Sequence, residues 1–169
     1  MMQLFSAEQY QPDLQQRFTT LRDSLLHLLP YARIEHVGSS AVPGAVSKGD
    51  LDVAVVVLLA QHAATVQTLL ALGYTEQADT LRTEALCMLN AGAEMPEHAL
   101  QIVAARSEFE DFMRFRDALL AEPALVQQYN AVKQAASHLP AEAYRAAKSA
   151  FIESVLQRLP ASTEQGHSA

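Results

Sequence analysis

At 169 residues, half of them hydrophobic and 18% charged, the chain has the size and composition of one globular domain able to bury a core unaided. A net charge of −7 with only three lysines argues against a broad basic face that coats nucleic acid, but leaves room for a small anion held by a few placed cations. Cys87 is the sole cysteine, so no internal disulfide and no thiolate zinc cluster can form.

The opening "MMQLFSAEQYQ" lacks the basic-then-apolar layout of a signal peptide. The longest apolar run, residues 51–60, is far shorter than the roughly 20 residues of a membrane span. A cytoplasmic location, with no membrane partner, is the expectation. From Pro12 to Leu29, Leu14, Phe18, Leu21, Leu25, Leu28 and Leu29 recur at three- and four-residue steps and make one helical face, stopped by Pro30. "ARIEHV" (32–37) reads as a short strand, and residues 38–49 as a glycine-rich connection. "LDVAVVVLL" (51–59) is a β-branched run with at least one buried face.

A helix over 60–72 ends at Gly73, and weaker strands over 85–89 and 99–104 flank the turn-rich "NAGAEMPEH". Ser107 and Glu110 have capping-box spacing ahead of "FEDFMRFRDALLA". Pro123 opens a second helix to about His138, and Pro140 a third to near Leu159. The tail 160–169 has too little apolar content to pack and is expected to be disordered. The predicted fold is α/β (α+β): a small mixed sheet flanked by helices with a C-terminal helical cap, all within one domain over residues 1–159.

The chemistry concentrates in residues 36–57. Asp50 and Asp52 are two apart at the mouth of a strand, so their carboxylates point to the same face and converge. Unpaired, they repel each other where burial is already costly; a hard divalent cation, Mg2+ or Mn2+, resolves this with substrate phosphates as further ligands. The simpler alternative is a solvated strand edge or a pairing with a nearby arginine. Gly38-Ser39-Ser40 follows a strand, permits close backbone approach and can begin a helical turn whose N–H groups and hydroxyl form a phosphate nest. An ordinary serine-capped turn is the alternative. Lys48 is within reach of a phosphate, although a solvated lysine is the commoner arrangement.

Gly-Ser, then ten residues, then Asp-x-Asp has the pattern of the nucleotidyltransferase superfamily with the polymerase β-like fold. "IEHVGSSAVPG", "KGDLDV" and "LGY", with "FRDALLAEPALVQQYNAVK" and "YRAAKSAFI" further on, resemble the GrpB family within it, over about residues 30–157. That resemblance implies a minimal nucleotidyltransferase fold. It further implies aspartates Asp50 and Asp52 as metal ligands and catalytic groups, and Gly38, Ser39, Ser40, Lys48, Arg116 and Lys148 as the nucleotide- and phosphate-binding set. Lys133 and Tyr144 lie in the same helical motifs, and His36 reads as a structural hydrogen-bonder.

Active superfamily members generally carry a third carboxylate on the strand that here reads "HALQIV" (98–103). Gln101 stands in the region where the GrpB family usually has a second histidine, and a neutral amide cannot act as a general base. His98 is the remaining accessory candidate, with Glu94 and Glu97 on the adjoining loop. The functional expectation is a magnesium-dependent nucleotidyltransferase moving a nucleoside monophosphate from a nucleoside triphosphate to an unknown acceptor. The alternatives are a catalytically weak or inactive nucleotide-binding module of the same fold and, more remotely, a partner-binding domain.

Overall fold

The computed structural model describes residues 2–160; the expected disorder from Ala161 onward lies outside the described residues. The chain runs α1 (Ala7–Leu28), β1 (Arg33–Val37), β2 (Asp52–Val57), α2 (Leu59–Ala71), β3 (Thr75–Glu76), β4 (Leu86–Asn90), β5 (Ala99–Ala104), α3 (Asp111–Ala121), α4 (Pro123–Ala136) and α5 (Ala141–Arg158), with single 3-10 turns at Ser39–Ala41 and Glu108–Glu110. The strands form one mixed sheet in the order β1-β2-β5-β4-β3. Only β2 and β5 pair in parallel, joined by a crossover that includes α2.

Two departures from the sequence expectation concern the ends of elements. Helix α1 begins at Ala7, five residues before Pro12, because the Gln9 side chain accepts a hydrogen bond from the Ser6 N–H and starts the helix there. Pro12 then lies inside the helix rather than at its start. The two-residue strand β3 carries no β-branched run and leaves both residues exposed, so no hydrophobic pattern marks it in the sequence.

Alternation along β2 divides the apolar residues between two cores. Val53, Val55 and Val57, with Leu100 and Ile102 of β5 and Cys87 and Leu89 of β4, pack against Leu14, Phe18 and Leu25 of α1 and Val66 and Leu69 of α2. Ala54, Val56, Val103 and Val37 face the other way and meet Met113 of α3. Both faces of the central strand are therefore covered, which is why residues 53–57 form an unbroken hydrophobic run. A third cluster, Leu119, Leu125, Val126, Tyr129 and Val155, binds α3, α4 and α5 to one another and to Val42 and Ala45 of the connection after β1. No helix among the described residues is long and apolar enough to cross a membrane.

Candidate nucleotide site

The register sets which polar groups share a face. Val37 pairs with Asp52 and Asp52 with Ala99; one row along, Glu35 pairs with Ala54, Ala54 with Gln101 and Gln101 with Met88. Asp52 and Gln101 thus project from neighbouring strands toward the helices of the cap, on the face opposite α1 and α2. Between this face and the cap lies a cleft of about 490 Å³. Its lining combines polar Gly38, Ser39, Lys48, Asp50, Asp52 and Lys148 with apolar Phe109, Phe112, Phe115, Ile152 and Leu156. All three lysines of the protein line it, since Lys133 stands beside Ser39.

The connection after β1 is held in shape from both sides. From α1, the Tyr10 hydroxyl donates to the Ala45 carbonyl at 2.7 Å and the Gln11 amide to the Val42 carbonyl at 2.6 Å. From α4, Asn130 accepts from the Val46 N–H and donates to the Gly44 carbonyl, both at 2.9 Å. Lys133, 1% exposed, donates to Ser39 Oγ at 2.8 Å and to the Val46 carbonyl, and its ammonium stands 4.3 Å from the centre of the Tyr129 ring. Fixed turns of this kind need no reorganisation when a ligand arrives.

At the turn itself Gly38 has φ of 74°, a left-handed conformation that a side chain would strain. It opens the 3-10 turn Ser39–Ala41, whose first hydroxyl, on Ser39, faces the cleft. Asp52 lies against that glycine without an ion-pair partner among the described residues. Burial, and next the charge of Asp50, push its carboxyl up to about 6, opposed by the Gln101 side chain and by Lys148 and Lys48. Asp50 is more exposed and pairs with Lys48 at 3.6 Å.

Two carboxylates at a cleft wall, one crowded by burial and by its neighbour, make a donor set that suits a hard divalent ion completed by ligand phosphates. Among the described residues no cluster of three or more histidine, cysteine, aspartate or glutamate side chains forms an all-protein cage. Asp50 and Asp52 are the groups that fit such an ion. The Gln101 Oε1 is buried and, among the described residues, has no hydrogen-bond partner.

Three residues expected in the site do other work. Ser40 points away from the cleft, and its Oγ lies 2.8 Å from His36 Nε2. Arg116 borders the cleft, but its guanidinium donates to Glu35 at 2.6 Å, to the His36 carbonyl at 2.9 Å and to Asp117 at 3.0 Å. It fastens α3 to β1 rather than offering a free cation. His98 belongs to the α1 face of the sheet, held through Nε2 by the Tyr74 hydroxyl at 2.7 Å and through Nδ1 by the Pro96 carbonyl at 2.8 Å. It is buried and remote from Asp52 in direction. His36 is the structural group expected of it, stacked on Phe18 with ring centres 4.6 Å apart.

The sequence reading underweighted Asn130 and Lys133, polar residues at positions that continue the buried stripe of Val126 and Tyr129 on α4. A polar residue where helical spacing demands an apolar one is the signal that marks them.

The family described as GrpB protein matches residues 6–158. A UPF0157 protein of Vibrio cholerae is 46% identical over 156 residues, covering 92% of this chain and 82% of its own length. A UPF0157 protein of Deinococcus radiodurans is 32% identical over 145 residues, covering 84% and 75%. The crystal structure of the conserved protein GrpB from Enterococcus faecalis superposes with a TM-score of 0.74 at 23% identity, over 92% of this chain and 95% of that one. A cytoplasmic RNA terminal U-transferase overlaps more loosely, at TM-score 0.44 and 18% identity, over 76% of this chain and 42% of that one. With the match running through both the sheet and the helical cap, the chain belongs to the GrpB family.

Proposed function

We propose that the protein binds a nucleoside triphosphate with Mg2+ or Mn2+ in this cleft and transfers the nucleotidyl group to an acceptor hydroxyl or similar nucleophile. The observation that carries this reading is the convergence of the Asp50–Asp52 pair, the Gly38–Ser39 turn and all three lysines on one cavity. Asp50 and Asp52 would hold the ion, which supplies charge neutralisation at the phosphates.

The remaining work falls to the chain itself. The Gly38–Ser39 turn and Ser39 Oγ seat terminal phosphate oxygens, with Lys133 holding that hydroxyl in place. Lys48 and Lys148 bring positive charge to the same cleft, where pyrophosphate charge develops as the leaving group departs. The phenylalanines of the lining exclude water and give a flat apolar surface to a base or acceptor. Catalysis of this kind consists mostly of alignment and charge stabilisation.

A second reading, a nucleotide-binding module without efficient transfer, is favoured by one observation: the β5 side chain that reaches the Asp52 carboxylate is the neutral amide of Gln101. Calorimetry with a panel of nucleotides, with and without Mg2+, and a pyrophosphate-release assay separate the two. Mg2+-dependent binding that Asp52→Asn lowers at least about tenfold, a loss of some 1.4 kcal/mol, supports the shared site. Pyrophosphate release with any acceptor favours transfer, and binding without release favours the module. If no nucleotide binds with or without metal, both readings are wrong.

A further inference from the structure

We propose that Gln101 confines this cleft to a single divalent ion. The inference rests on the metal–nucleotide reading above and concerns how many ions that site holds.

Two divalent cations can share a site only when they lie about 3.5–4 Å apart and anionic groups bridge and surround them. Their mutual repulsion is four times that of two unit charges at the same distance, so the site must supply compensating carboxylates. This cleft supplies Asp50 and Asp52, and part of the Asp50 charge is already met by Lys48 at 3.6 Å. Lys148 adds a further positive charge in the same cavity.

Two other acidic groups beside them are already engaged by arginines. Glu35 lies in the same row of the sheet as Ala54 and Gln101, but Arg116 at 2.6 Å and Arg33 at 3.4 Å engage its carboxylate. Asp111 borders the cleft and is paired with Arg114 at 2.7 Å. Glu108, on the 3-10 turn ahead of α3, also lines the cleft, but its side chain is exposed, where water and salt screen its charge. On the sheet, two residues along from the Ala99 that pairs with Asp52, Gln101 brings its side chain to the Asp52 carboxylate and places a neutral amide, 4% exposed, where a buried third anionic ligand would stand.

The amide has a distinct geometry of its own. Its Oε1 is enclosed by the protein, without a partner among the described residues. Gln101 thus adds no charge beside Asp52, where a carboxylate at the same place would recruit a second cation.

The test is the number of Mn2+ ions bound per chain in the presence of a non-hydrolysable nucleoside triphosphate analogue, measured on the full chain by electron paramagnetic resonance and calorimetry. Wild type is expected to hold one ion in total per chain–analogue complex, shared between the aspartates and the phosphates, and Gln101→Glu and Gln101→Asp to hold two; a protein-free control gives the signal of the ion on the analogue alone. Thermal unfolding of the variants checks that each is folded, and the wild-type count decides independently of both. Two ions in wild type overturn the inference and leave the nucleotide reading standing. A folded Gln101→Glu or Gln101→Asp protein that still binds one overturns the role given to Gln101. No protein-dependent ion at all overturns the metal–nucleotide reading, and this inference with it.

Discussion

A side-chain carbon placed on Gly38 would lie 2.7 Å from Oδ2 of Asp52. The turn at the end of β1 and the first carboxylate of β2 are thus in such close approach that only glycine fits between them. Gly38→Ala meets two penalties, the strain of φ at 74° and a collision that displaces the carboxylate. Gly44 is the internal control: its φ is 85°, but the nearest atom to an added carbon, Val126 Cγ1, is 3.9 Å away. Both variants are expected to lose about 1–3 kcal/mol of stability by chemical denaturation. Only Gly38→Ala should lose Mn2+ and nucleotide affinity, by about tenfold or more. Equal affinity losses in the two would refute a special role for the Gly38–Asp52 approach.

Arg116 offers a way to tell a clamp from a ligand. Its guanidinium joins α3 to β1 through Glu35 and the His36 carbonyl, and it is 14% exposed. Arg116→Met removes charge-assisted hydrogen bonds and leaves Glu35 with Arg33 as its other partner. The expected result is a stability loss of about 1–3 kcal/mol with nucleotide affinity changed less than about fivefold. A large affinity loss in a variant of unchanged stability would return Arg116 to the phosphate-binding set.

His36 predicts the response to acid. Burial, and then the positive charge of Arg116, lower its pKa from 6.5 to about 4. The unfolded chain therefore takes up a proton between pH 6.5 and pH 4 that the folded chain refuses. Stability from this group is intact above about pH 6.5 and falls through that window, by about 3 kcal/mol at its lower end. Denaturation curves of wild type and His36→Gln across pH 4–7 isolate the contribution, since the variant should lose the part of the slope that belongs to the imidazole. An identical slope in both would rule the assignment out.

How much of this was legible beforehand depends on which physical rule writes each residue. The β2 run and the short β5 segment, buried on both faces from Leu100 onward, report burial directly, so residues 53–57 and 99–104 could be placed from the sequence. Strand periodicity likewise put Asp50 and Asp52 on one side, and the glycine-serine turn on the preceding connection. Side-chain direction within the turn was not legible: Ser39 and Ser40 are adjacent, yet one faces the cleft and the other His36, a choice made by the 3-10 turn. Pairing across distant segments was not legible either. Nothing local to Arg116 announces Glu35, and nothing local to His98 announces Tyr74, because those partners are set by how the cap and the α1 face dock on the sheet. Lys133 was legible as a lysine of the cap motifs, but its burial and its bond to Ser39 are set by packing.

That burial gives the last prediction. Desolvation, and next the charge of Lys148, lower the Lys133 pKa from 10.5 to about 7. In the free protein the unfolded chain holds a proton between about pH 7 and pH 10.5 that the folded chain has released, so this group favours folding more as pH rises through that window. Phosphate brought to Ser39, 2.8 Å from the ammonium, favours the charged form and reverses the shift. Nucleotide binding at pH 8 should therefore take up part of a proton, and at pH 6, where Lys133 is already charged, it should take up much less. Calorimetry in buffers of different ionisation enthalpy measures this uptake as a slope. Because Lys148 is also lowered by burial and by Lys48, Lys133→Met is the necessary comparison. The variant should bind more weakly and lose most of the pH 8 uptake, whereas an undiminished uptake would place the titrating group elsewhere in the cleft.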